Sequence, residues 1–189
     1  MSWYKFVRGF IPLFIGSLNF ISCSSSGTSE TAPVYFDLLG YFNQQSSQLH
    51  TRKMEVEKTI QKNGVKEQQH IQNINWKQEL SLFMESDINK PSWSNSYATE
   101  HAGDTLRYIT RDTTLLTRKI ELIGAPKAVR EIHIHNRVSN PLYTSDTHLS
   151  YFADSLYRME KVQTVRFTGT NTYVVEGLIA PASKDTLPR

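Results

Sequence analysis

His133-Ile134-His135 is the sharpest chemical pattern in this chain of 189 residues. On a strand, residues i and i+2 share a face, so both imidazoles could reach one metal ion. Ile132 and Ile134 would then face the core and leave the histidines on the wetter side. A third ligand is required. Glu131 has the same parity and is the nearest complement, with His101 and His148 as more distant choices. Such a set would suit a metal-dependent hydrolase, in which the ion activates water. Two solvated histidines on a strand need no metal, and this is the simpler reading.

Other catalytic patterns are missing. The chain contains no H-E-x-x-H, no G-x-S-x-G, no phosphate-binding loop and no dinucleotide fingerprint. Glu55 and Glu57 alternate with apolar residues, as on a solvated strand face. The expected class is therefore a non-enzymatic protein without a cofactor. Two bends carry the remaining polar clusters. Glu85-Ser86-Asp87 ends an expected helix and is followed by Asn89, Pro91 and Trp93. There Pro91 stops the helix, and Trp93 reads as a buried plug with its N–H bonded nearby. Asp154-Ser155 precedes Leu156-Tyr157-Arg158 and reads as a turn in which the carboxylate caps backbone N–H groups. Asp87 and Asp154, with Arg137 and Arg158, could instead form a charged functional cluster.

The elements that must position these groups follow from periodicity. Residues 34–49 place Val34, Leu38, Tyr41, Phe42 and Leu49 near one helical face, with Gly40 weakening the helix. Met54, Val56 and Ile60 then alternate with polar residues up to Asn63-Gly64, the positive-φ pair of a tight hairpin. Asn75 with Gln78 suits a capping box for a second helix striped by Trp76, Leu80, Phe83 and Met84. From Ser96 the period becomes two. Candidate strands are 96–101, 105–111, 115–123, 128–138, 144–151, 157–168 and 172–179, joined by connections too short for parallel crossovers. The expected fold class is α+β: an antiparallel, curved sheet of about nine strands with two helices packed on it.

The N-terminus sets location. Lys5 and Arg8 precede the mostly apolar run Gly9–Ile21, the layout of a secretory signal. The run is shorter than the about 20 apolar residues of a spanning helix. The expected organisation is a signal peptide (1–22), a lipidated Cys23 with a flexible tether (23–33), a single domain (34–180) and a disordered tail (181–189). Net charge falls from +3 to +1 when Lys5 and Arg8 leave with residues 1–22, and no basic stripe suggests nucleic acid. Hydrophobic content of 39% and aromatic content of 11% suit a folded domain.

Phe20-Ile21-Ser22-Cys23 resembles a bacterial lipobox, with Phe20 where Leu is usual. The resemblance implies that Cys23, the only cysteine, is acylated and begins the mature protein. Buried acyl methylenes contribute roughly 0.8 kcal/mol each, enough for two or three chains to anchor a protein in a leaflet. "FMESDINKPSW" (83–93), "NRVSNPLYTSDTHLSYFADSLYRM" (136–159) and "RFTGTNTYVVEG" (166–177) resemble lipoproteins of the Bacteroidota group whose function is unassigned. This likeness implies an envelope location, the outer membrane by expectation, and carries no catalytic residues over. The order helix, hairpin, helix, meander resembles the half-barrel carriers of lipids and lipoproteins in the bacterial envelope. The functional expectation is a lipid-anchored module that binds an apolar ligand or an envelope protein on its sheet; the alternatives are the His133/His135 hydrolase and a purely structural module.

Overall fold

The computed structural model describes residues 34–125 and 128–182. The expected signal peptide, Cys23 with its tether, and residues 183–189 of the expected tail lie outside them; Pro181 belongs to the last strand.

The first helix, α1 (Leu38–Thr51), begins four residues later than its apolar periodicity predicts. Residues before it are committed elsewhere. The Tyr35 N–H donates to Asn89 Oδ1 at 2.9 Å and the Phe36 N–H to the Tyr108 hydroxyl at 3.0 Å. Asp37 caps the helix by accepting from Gly40 N–H at 2.8 Å. A Cβ at position 40 would stand 2.1 Å from Asp37 Oδ2, so Gly40 makes room for the cap.

Strands β1 (Met54–Lys62) and β2 (Val65–Ile71) form the expected hairpin. Asn63 and Gly64 turn it at φ 49° and 89°, the conformation a two-residue turn demands. The expected second helix is instead two short ones, α2 (Trp76–Glu79) and α3 (Ser81–Glu85), separated at Leu80 with φ −96° and ψ 11°. Asn75 caps α2 through Gln78 N–H as its spacing implies. The break has a purpose in packing. It turns Glu79 toward the sheet while Phe83 packs on Phe42 and Tyr151, with ring centroids 4.9 and 5.9 Å away. A short 3-10 turn, Pro91–Trp93, follows.

The meander then runs through β3 (Tyr97–Ala102), β4 (Thr105–Thr110), β5 (Thr117–Ala125), β6 (Ala128–Ser139), β7 (Tyr143–Phe152), β8 (Leu156–Val165) and β9 (Gly169–Pro181). All pairings are antiparallel, and the nine strands lie in the order β2-β1-β9-β8-β7-β6-β5-β4-β3. The fold is α+β, with an open sheet. The first hairpin is completed by the last strand, from Met54 beside Pro181 to Lys62 beside Tyr173.

Because β2 and β3 occupy opposite edges, their connection must cross a whole face, about 38 Å at eight strand spacings. It carries α2 and α3 across, and α1 packs against both. The core lies between this helical layer and the sheet. Leu38, Phe42 and Leu49 from α1 meet Ile120, Ile132, Leu149 and Tyr151 from the strands, all nearly inaccessible to water. Each such side chain contributes about 1.5–3 kcal/mol on burial. Gly124, at φ 117°, accompanies a register shift in the β5–β6 ladder. The shift lets Val129 and Ile132, of opposite parity, both face inward. One polar knot is buried in this layer. Asn136 Nδ2 donates to Ser86 Oγ at 2.7 Å, and the Thr117 hydroxyl to the Ser86 carbonyl at 3.0 Å.

Candidate functional site

The helical layer leaves a cavity of about 480 Å³ between α2–α3 and strands β1, β9, β8 and β7. Its walls are largely apolar: Ile71, Ile74, Leu82, Leu149, Met159 and Val175 all line it. Its polar floor is set by strand register. Lys58 of β1 and Tyr157 of β8 both pair with Gly177 of the intervening β9. With no side chain at 177, the Tyr157 ring fills that space and its hydroxyl reaches across. Glu79 descends from α2 to meet both neighbours: its Oε1 lies 2.6 Å from Lys58 Nζ and accepts from the Tyr157 hydroxyl at 2.5 Å.

The electrostatics of this floor are self-contained. Lys58 and Glu79 are mostly buried, with side-chain exposures of 17% and 19%, and they neutralise one another. Burial first, then the hydrogen bond and charge of Glu79, push the Tyr157 phenol far above its usual range. It stays a neutral donor. Glu79 Oε1 is engaged at once by a cation and a hydroxyl. The result is a half-open groove with apolar walls and a few convergent polar groups.

The other face of the sheet is polar. Arg158 pairs with Glu160 and Glu176, and Arg107 and Lys119 flank Glu121. Burial works against the Glu121 carboxylate, but hydrogen bonds from Lys119 and Arg107 outweigh it and hold the carboxyl below its ordinary value.

The sequence candidates divide between these surfaces. Ile132 and Ile134 face the core, and His133 and His135 lie on the polar face, as alternation requires. The two histidines do not converge on Glu131. His133 places one ring nitrogen 3.2 Å from Glu131 Oε2 and the other 3.1 Å from Ser150 Oγ. His135 instead lies 3.0 Å from Asp146 Oδ1. His148, considered as a distant third ligand, does come near His135, directly across the β6–β7 ladder. His101 lies on β3, beyond β4 and β5 from β6.

Asp87, Asp154, Arg137 and Arg158 are not brought together. Asp87 accepts from the Asn89 backbone N–H at 3.1 Å, and Asn89 in turn grips Tyr35 and Phe36, so this corner ties the start of α1 to the α3 exit. Trp93 is half-buried under the Lys90 ammonium, 4.0 Å from the ring centroid, where a fully buried plug was expected. Asp154 sits in a turn at φ 59° and pairs with Arg52 at 2.9 Å. Arg137 reaches Asp146, and Arg158 belongs to the β8–β9 acids. The strand-region tyrosines Tyr97, Tyr108, Tyr151 and Tyr157 are buried, packing mostly beneath the helical layer.

Glu79 and Lys58 escape a reading of the sequence because they lie 21 residues apart on elements whose alternation marks them only as polar. The one available signal was Gly177 inside a strand, which suggests close approach of another group.

No family model and no curated protein matches the chain. Among solved structures, the S-type phycobiliprotein lyase CPES from Guillardia theta is similar over 76% of this chain and 98% of that one, at 5% identity and a TM-score of 0.26. A likeness at that level carries no argument about function. None of the described helices is long and apolar enough to cross a membrane.

Proposed function

We propose that this protein is a lipid-anchored binding module of the bacterial envelope whose ligand is apolar and enters the groove between α2–α3 and the sheet. The observation that carries the reading is the groove itself: about 480 Å³ of largely apolar space above the Lys58–Glu79–Tyr157 floor. That volume suits a small ligand or one acyl-type segment. The floor carries no net charge, because Lys58 and Glu79 cancel, so a neutral polar end is favoured over an ionic one. The lipobox-like Phe20–Cys23 supports the anchor, and membrane attachment places a hydrophobic ligand within reach of the groove. The self-satisfied floor and the absence of catalytic motifs support a non-enzymatic role.

Titration with the apolar fluorophore N-phenyl-1-naphthylamine tests the groove. Saturable binding of one probe per chain is expected, with Val175→Phe weakening it roughly tenfold by filling the space, about 1.4 kcal/mol. Val175 is only half-buried, so the larger side chain extends into the groove without opening the core. Binding that Val175→Phe leaves unchanged would place the ligand elsewhere and end this reading.

A further inference from the structure

We infer that His135, Asp146 and His148 form a binding site for a late first-row divalent cation on the sheet face opposite the groove. The site is assembled by strand pairing. His135 of β6 and His148 of β7 are direct cross-strand partners, and Asp146, two residues before His148, projects from the same face. Each residue offers one ligand atom, and all three atoms lie within 4.8 Å of one another. His135 Nε2 and His148 Nε2 stand 3.0 and 3.1 Å from the same oxygen, Asp146 Oδ1. A tetrahedral ion with bonds near 2 Å needs ligand atoms about 3.3 Å apart. Two of the three separations already meet this requirement.

Binding an ion requires one of the two rings to turn. The imidazoles of His135 and His148 stack 4.6 Å apart and are parallel to within 3°. Lone pairs lie in the ring planes, so the stack must open for both Nε2 atoms and the carboxylate to face one cation, and His148, the more exposed of the two rings, has the freedom to turn. Two imidazoles and one carboxylate are the donors preferred by Zn²⁺ and its neighbours. Arg137 Nη1, 3.4 Å from Asp146 Oδ2, occupies the second carboxylate oxygen and leaves Oδ1 to the ion, while its charge holds affinity below that of a closed four-ligand site. On the other side, Glu160 is the cross-strand neighbour of His148 but is held by Arg158 at 2.7 Å. The fourth position is therefore left to water or to a ligand from solution.

Calorimetric titration of the purified protein with Zn²⁺, alongside the imidazole NMR resonances, tests the site. One ion per chain is expected, with shifts at His135 and His148. Asp146→Asn and His148→Ala should each weaken binding roughly tenfold or more, and His133→Ala should leave it unchanged. His148 is 60% exposed at its side chain, so its truncation leaves the fold intact. No saturable uptake at millimolar Zn²⁺ would overturn the site. So would equal affinity in the Asp146→Asn/His148→Ala double variant, or a loss on His133→Ala matching that of His148→Ala.

Discussion

The Tyr157 ring occupies the space in which Gly177 would carry a side chain: a Cβ there would lie 2.1 Å from Tyr157 Cζ and 2.3 Å from its hydroxyl oxygen. The floor of the groove therefore depends on a missing methyl group. Gly177→Ala should force the ring off Glu79 and cost about 1–3 kcal/mol, the usual penalty of overpacking a filled site. Urea unfolding reads this directly; a stability unchanged within error would show that the ring moves aside freely.

Removing the acid should cost more than removing the phenol's oxygen. Tyr157→Phe deletes one hydrogen bond to a charged group, worth about 1.5–3 kcal/mol, and keeps the Lys58–Glu79 pair. Glu79→Leu leaves both a largely buried ammonium and a buried hydroxyl without their partner, for which about 3–5 kcal/mol is expected. Thermal melts of the two variants should fall in that order. The reverse order would mean that Lys58 finds water readily in the groove.

Ser86→Ala isolates the polar knot at the other end of the helical layer. Asn136 Oδ1 is buried without a hydrogen-bond partner among the described residues, and Asn136 Nδ2 has Ser86 Oγ as its acceptor. Loss of that acceptor should cost about 1–3 kcal/mol. Asn136→Leu combined with Ser86→Ala should recover part of it in denaturation midpoints.

Alkaline pH should unfold this domain earlier than its size suggests. Burial, and secondarily the charge of Asp154, push the Tyr41 phenol up to about 12 from an ordinary value of 10.0. Tyr97, Tyr151 and Tyr157 are also raised, chiefly by burial. An unfolded tyrosine gives up its proton above pH 10 while these folded ones keep it, so the unfolded state binds fewer protons there. Stability is fully present below that value and declines as pH climbs past it. Phenolate absorbance recorded with circular dichroism should rise together with loss of structure.

The anchor is tested at Cys23. The wild-type protein should partition with membranes and detergent, whereas Cys23→Ser should lose lipid labelling and keep its circular dichroism spectrum. Retained acylation, or a mature chain starting elsewhere than residue 23, would exclude lipoprotein processing.

Much of the fold was legible because alternation is clear in β6 and in the second half of β7 and because Asn63-Gly64 can do little but turn. The helix boundaries were not. Val34–Asp37 carries helical periodicity, but its backbone donors are taken by Asn89 and Tyr108, residues more than 50 positions away. Leu80 likewise fits a continuous apolar stripe, and only the need to aim Glu79 and Phe83 in different directions explains its bend. On the polar face, the type and parity of His135 were readable. Its partnership with Asp146 rather than Glu131 depends on the β6–β7 register, which is set by the turn between the strands and not by side-chain alternation.

The pairing of β1 with β9 also has a temporal meaning. Residues 54–62 leave the ribosome more than a hundred residues ahead of the strand that must lie beside them. Until Gly169–Pro181 arrives, the early hairpin has no neighbour and β8 presents a bare edge. Such long-range closure slows folding. That one strand covers two edges, those of β1 and β8, together.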